Sequence, residues 1–172
     1  AADELAASKA ALIVTEDPRA ALAYAAALWF GAQPEVMVAV TGTNGKTSVA
    51  SFLRQLWTQL GRRAVNIGTV GVEGAVDRPG GLTTPDPLTM HALLAELADL
   101  GVERAAIEAS SHGLAQHRAD GVRLRAAGLT NVTRDHLDYH PTPEDYLQAK
   151  LGLFARVLPA DGTAALNADD PS

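Results

Sequence analysis

Val36–Ser48 reads VMVAVTGTNGKTS. Val36 to Val40 is a continuous apolar run, which predicts a strand buried on both faces of a parallel sheet. The next eight residues, Thr41-Gly42-Thr43-Asn44-Gly45-Lys46-Thr47-Ser48, lead directly into a helical pattern. There Val49, Phe52, Leu53, Leu56, Trp57 and Leu60 recur at the spacing of one apolar helix face, and Gly61 closes it. A glycine-bearing turn between a buried strand and a helix is what a phosphate-binding loop needs. The glycines let the backbone turn tightly with its N–H groups inward, and the helix start adds partial positive charge. In that reading the backbone amides of the loop line a nucleotide's phosphates. Lys46 reaches the β- and γ-phosphates, and the Thr47 hydroxyl ligates Mg²⁺. The usual G-x-x-x-x-G-K-[ST] spacing is incomplete, because Val40 stands where its first glycine would be.

Working outward, strand and helix patterns alternate. Ala11 to Thr15 reads as a short strand. Asp17-Pro18 supplies an N-cap and a first-position proline for a helix to about Phe30, and Gly31 to Pro34 reads as a linker. Ala64 to Ile67 is a second buried strand, and Asp86-Pro87 opens a helix to Leu100 that Gly101 stops. Arg104 to Glu108, Ala126 to Val132 and Thr163 to Asn167 read as further strands. Thr142, Pro143 and Asp145 start a helix between the last two. The alternation predicts an α/β, doubly wound, mainly parallel sheet whose ligands gather at the carboxyl ends of its strands.

Composition bounds the function. The chain has 172 residues, of which 47% are hydrophobic and 20% charged, as in a globular protein. A net charge of −6 argues against nonspecific nucleic-acid binding, which needs a basic surface. No apolar run is long enough for a membrane span. The absence of cysteine excludes disulfides and thiolate metal sites and fits a cytoplasmic protein.

Further polar residues collect at predicted strand ends. Glu108 closes one strand, where a carboxylate would face the phosphate loop and complete a Mg²⁺ shell with Thr47. Asp135, His136, Asp138 and His140 offer oxygen and imidazole ligands within six residues. A hydrogen-bonded, capped loop is the simpler reading of these residues taken alone, and zinc is the competing chemistry, though the phosphate loop favours Mg²⁺ or Mn²⁺. Lys150 lies beside the stripe Leu147, Leu151, Phe154 and Leu158, so its stem should be covered. A desolvated amine there could stay neutral and take up carbon dioxide as a carbamate, but a snorkelling lysine is the simpler reading.

Together these blocks resemble the Mur ligase family. Thr41 to Thr47 is similar to its ATP loop, which departs from the usual glycine spacing in the same way. Thr83-Thr84-Pro85-Asp86-Pro87, Glu108 to Arg118 (EASSHGLAQHR) and Thr133 to His140 (TRDHLDYH) resemble three more family blocks, in order. The resemblance implies a P-loop-type central domain that binds ATP through Gly42, Thr43, Asn44, Gly45, Lys46, Thr47 and Ser48 and also takes Mg²⁺, with Lys46, Glu108, His136 and Lys150 as catalytic residues. It implies Thr47 and Glu108 on one Mg²⁺, and His136 with a carbamylated Lys150 (N6-carboxylysine) on a second. Thr83, Thr84, Ser110, Gln116 and Arg118 would hold UDP-MurNAc-L-Ala-D-Glu. Leu82 departs from the pattern, since many relatives carry Asn there.

The implied reaction is ATP-dependent addition of a diamino acid in peptidoglycan synthesis. Meso-diaminopimelate fits an Ala- and Arg-rich composition of high-GC type, and L-lysine is the alternative. A folylpolyglutamate synthetase-like ligase and an inactive nucleotide-binding module are the rival readings. The family has three domains. Residues 1–33 would be the tail of the N-terminal UDP-substrate domain with its linker, and 34–172 the first part of the central domain. The C-terminal domain with the amino-acid pocket would be absent, leaving this chain alone nearly inactive. A monomer is expected.

Overall fold

The apolar run at Val36 forms an interior strand of the sheet. In the computed structural model, which describes residues 11–133 and 139–170, β1 (Val36–Thr41) pairs in parallel on both sides. Its neighbours are β5 (Arg104–Glu108) and β6 (Leu124–Leu129). With β2 (Ala64–Gly68), β3 (Gly71–Gly74), β4 (Arg78–Pro79) and β7 (Thr163–Leu166), the sheet has the order β4-β3-β2-β5-β1-β6-β7. The pairs from β2 to β7 are parallel, and only the β2-β3-β4 edge is antiparallel. The chain leaves β1 toward β2 through α2 (Lys46–Gln59), then returns to β5 through α3 (Pro87–Asp99). Right-handed crossovers in opposite directions put those helices on opposite faces, so the sheet is doubly wound as expected. β1 is the switch point, and the loop after it lies between the ends of β5 and β6.

Local signals explain the helix boundaries. In α1 (Pro18–Phe30), Asp17 accepts from the amides of Arg19 and Ala20, and Gly31, at a positive φ of 70°, ends the helix with its amide donating to the Ala27 carbonyl. Asp86 caps α3 and Thr142 caps α5 (Pro143–Gly152), each ahead of a first-position proline. α1 packs on α3. The core runs through Met37, Ala39, Val65, Ile67, Met90, Leu94, Leu97, Ala105, Ile107 and Leu124, with Leu153 from the π-helical turn Leu153–Val157 that continues α5.

Three expectations need correction. Ala11 to Thr15 is not a strand: it is exposed and pairs with no strand among the described residues. The strand expected over 126–132 is Leu124–Leu129, because Thr130 to Thr133 turn aside to bond the loop after β1. The apolar stripe of α2 is only half used. Ala50, Leu53, Arg54 and Trp57 are on the covered arc, whereas Phe52, Leu56 and Leu60 are exposed. Arg54 occupies sheet-facing space because its Nε donates to Oδ1 of Asn66, a fully buried amide in β2, at 2.7 Å. The β3-β4 hairpin and the short helix α4 (Ser111–Ala115) had no counterpart in the sequence reading.

Candidate active site

Two glycine conformations shape the loop between β1 and α2. Gly42 (φ 142°) and Gly45 (φ 87°) both have positive φ, which side-chain-bearing residues rarely adopt. A Cβ on Gly42 would also run into Thr130. Gly45 is the N-cap of α2 and brings no side chain, so nothing in the cap competes for the first-turn amides. Lys46 folds over the loop, donating from Nζ to the carbonyls of Gly42 at 2.8 Å and Thr43 at 2.9 Å. Ser48 is exposed in the first turn.

The end of β6 braces this loop. Asn131 brackets Asn44, its Oδ1 accepting from the Asn44 amide at 3.1 Å and its Nδ2 donating to the Asn44 carbonyl at 3.2 Å. Thr130 Oγ1 donates to the same carbonyl at 2.6 Å, and the Thr43 amide donates to the Asn131 carbonyl at 2.8 Å. Thr43 Oγ1 lies within hydrogen-bond distance of the Thr133 carbonyl, at 3.2 Å, and of the Tyr146 hydroxyl, at 3.0 Å.

Lys150 arrives from α5. It is 1% exposed, covered as expected, and Nζ donates to the Gly42 carbonyl at 2.9 Å. The same ammonium sits 4.3 Å from the centre of the Tyr146 ring. Tyr146 lies one helical turn before Lys150, a spacing that puts both on one face of α5. A chain of rings continues from Tyr146 through His140 and Tyr139 to His112, with neighbouring centroids 5.4, 4.9 and 4.0 Å apart.

Glu108 ends β5 with its carboxylate 1% exposed and directed at the loop. Thr47 Oγ1 donates to Glu108 Oε2 at 2.8 Å, and the Thr69 amide donates to Oε1 at 3.2 Å. The carboxylate packs so tightly on β2 that a Cβ on Gly68 would overlap it. Thr47 and Glu108 thus offer two hard oxygens side by side, a donor pair suited to Mg²⁺. Among the described residues no three His, Asp or Glu side chains cluster as a metal site. Asp135, His136 and Asp138 lie outside the described residues.

The remaining predicted residues gather beyond Glu108. Thr84 is 1% exposed, and its hydroxyl donates to the Glu108 carbonyl at 3.0 Å while accepting from the Ser110 amide at 3.0 Å. The Ser110 hydroxyl, 3.0 Å from that of Thr84, also accepts from the Gly113 amide and caps α4. Thr83 and Thr69 share a hydrogen bond of 2.9 Å between hydroxyls. Arg118 donates from Nη1 to the Thr84 carbonyl at 3.0 Å and from Nη2 to Gln116 Oε1 at 2.6 Å. Gln116 in turn donates to the Tyr139 hydroxyl at 2.9 Å. Next to this group, burial pushes the Asp86 carboxyl upward, but donation by the Thr89 hydroxyl and amide holds it below the ordinary carboxylate range.

The structure therefore joins Gly42 to Ser48, Glu108 and Lys150 around one loop and sets Thr83, Thr84, Ser110, Gln116 and Arg118 beside them. Sequence reasoning passed over Asn131, Thr69 and Tyr146 as partners. Only Tyr146 carried a usable signal, its helical spacing from Lys150.

The chain is 58% identical over 161 residues to a UDP-N-acetylmuramoyl-L-alanyl-D-glutamate–2,6-diaminopimelate ligase of Mesorhizobium japonicum. It is 59% identical over 162 residues to the protein of that name in Agrobacterium fabrum. In both cases the match covers 93% of this chain and 33% of the relative, so the chain spans about a third of their length. Among solved structures, one of a ligase with the same name matches with a TM-score of 0.81 at 33% identity, over 92% of this chain and 33% of that one. The E. coli FolC structure in complex with DHPP and ADP matches with a TM-score of 0.67, over 95% of this chain and 44% of that one. At 16% identity it shares the fold alone. Residues 40–172 match the Mur ligase middle domain, and the chain belongs to the Mur ligase family.

Proposed function

We propose that this chain forms the ATP-binding and substrate-facing part of the ligase that adds meso-diaminopimelate to UDP-MurNAc-L-Ala-D-Glu. One observation carries this reading: Glu108 joins the two halves of the site. Its carboxylate bonds Thr47 of the phosphate loop, and its carbonyl bonds Thr84, which leads on to Ser110 and Arg118. ATP on the loop and a carboxylate held beyond Thr84 would then be adjacent. The names of the relatives support the diaminopimelate reading over the lysine one.

In this reading the γ-phosphoryl group of ATP passes to the D-Glu carboxylate of the substrate, leaving ADP and an acyl phosphate. The amine of the amino acid attacks the acyl carbon, phosphate leaves, and the amine gives up a proton. Lys46 and the first-turn amides of α2 stabilise the negative charge that grows on the transferring group. Thr83, Thr84, Ser110, Gln116 and Arg118 orient the peptide end, with Arg118 suited to a carboxylate or pyrophosphate. Thr47 and Glu108 would hold one Mg²⁺. A second would lie with His136 and Lys150 as a carbamate. Such ions supply charge neutralisation to the phosphates when bound. Residues 1–33 are assigned to the tail of the N-terminal UDP-substrate domain and its linker, and 34–172 to the central domain of a cytoplasmic monomer. No helix among the described residues is long and apolar enough to cross a membrane.

The test is turnover by an enzyme of the relatives' full length that carries this chain. ATP, UDP-MurNAc-L-Ala-D-Glu and either meso-diaminopimelate or L-lysine are supplied, and phosphate release is followed. Release dependent on meso-diaminopimelate is expected. Release with neither amino acid refutes the ligase reading, and release with lysine alone reassigns the added residue.

A further inference from the structure

His117 is the only non-glycine residue with positive φ among the described residues, at 58°. It occupies the position after the C-cap of α4, where the His117 amide donates to the Leu114 carbonyl and the Arg118 amide to the Gly113 carbonyl. That pair of bonds is a Schellman motif, whose left-handed residue is ordinarily glycine. A histidine there carries a backbone cost that glycine would avoid. Its side chain shows what the substitution gains. Nδ1 lies 2.8 Å from Asp120 Oδ2 and Nε2 lies 2.9 Å from Asp17 Oδ2. Asp120 is 0% exposed and also takes Arg156 Nε at 2.9 Å, while Arg156 Nη2 donates to the Leu114 carbonyl at 2.7 Å. Asp17 belongs to the leading segment, where the same carboxylate caps α1.

The imidazole thus ties three elements together at a single backbone position. That position separates Gln116 from Arg118, two of the five residues assigned to the nucleotide-sugar peptide. We infer that His117 is a positioning residue for that substrate. The Asp17–His117–Asp120 bridge fixes the turn from which Gln116 and Arg118 project, and couples it to the segment that precedes the central sheet. Without the bridge the turn still forms and Arg118 still reaches Thr84, but the turn is no longer tied to Asp17 and Asp120. This inference rests on the proposed ligase reading.

Two substitutions in an enzyme of full length separate the imidazole from the backbone. His117→Gly keeps the left-handed turn, since glycine is the usual residue there, and removes the bridge. Asp17→Ser keeps the α1 cap and removes the distal carboxylate from an exposed position, so it tests the bridge even where His117→Gly folds poorly. Each is expected to raise KM for UDP-MurNAc-L-Ala-D-Glu about tenfold with KM for ATP within about twofold of the parent, whatever the change in Tm. The double variant should be no worse than His117→Gly, because both act through one bridge. An unchanged KM for the nucleotide-sugar peptide in both single variants overturns the inference, as does an equal rise in KM for ATP. A parent enzyme that turns over nothing would instead refute the ligase reading itself.

Discussion

Lys46 and Lys150 donate to the same atom, the carbonyl oxygen of Gly42, at 2.8 and 2.9 Å. One lysine belongs to the helix that follows the phosphate loop, and the other comes from α5. Their roles should separate on substitution. If Lys46 holds phosphate as proposed, Lys46→Met should weaken binding of a non-hydrolysable ATP analogue to this chain by more than about tenfold, measured by calorimetry. Lys150→Ala should abolish turnover in an enzyme of full length, and excess bicarbonate should not restore it. Unchanged analogue affinity in the first variant, or full activity in the second, would remove that lysine from its assigned role.

The bond from Thr47 Oγ1 to Glu108 Oε2 is the contact a divalent cation would join or replace. Glu108→Gln keeps the shape of the side chain and loses the charge. It should weaken binding of the Mg²⁺ complex of the analogue about tenfold, while binding in EDTA stays within about twofold. Equal losses with and without Mg²⁺ would show Glu108 to be a bracing residue only.

Much of this site could be read before folding because its signals are local. The Val36 run, the glycine turn and Lys46-Thr47 are contiguous, so their context is set by neighbours in the chain. Glu108 was legible because it ends a buried strand, and the ends of parallel strands share one edge. Asn131 and Thr69 were hidden because each gains its role from a segment distant in sequence. His117 was hidden for a different reason: nothing in its spacing announces a left-handed backbone. The stripe on α2 misled because periodicity reports an apolar face without saying which part meets the sheet. Buried Asn66 draws Arg54 into that contact. The β3-β4 hairpin was too short, with β4 only two residues long, for any alternation to show.

Gly68 tests how closely the sheet approaches the acid. A Cβ there would overlap the Glu108 carboxylate, and strands on both sides leave the backbone little room to move. Gly68→Ala should cost about 1–3 kcal/mol in urea unfolding, as overpacking does in a close-packed interior. It should also reproduce the Mg²⁺ defect of Glu108→Gln, because the carboxylate must swing away. A stable variant with normal Mg²⁺ dependence would show that Glu108 has a second acceptable position.

Acid sensitivity should come in part from His91 in α3. The ring is 1% exposed, Nε2 lies 2.9 Å from the Asp120 carbonyl, and Nδ1 is buried with no hydrogen-bond partner among the described residues. Burial holds its pKa below the ordinary 6.5; the Asp120 carbonyl pulls the other way, and the charge of Arg123 adds to the lowering. Between the lowered folded value and 6.5 the unfolded chain binds more protons, so stability falls as pH drops through that window. The contribution is fully present above 6.5 and exhausted below the folded value. His91→Gln keeps an N–H for the Asp120 carbonyl and removes the titration. Urea midpoints measured from pH 7.5 down to 5.0 should therefore fall more steeply for the parent chain than for the variant. Parallel curves would mean that His91 protonates as readily in the folded chain as in the unfolded one.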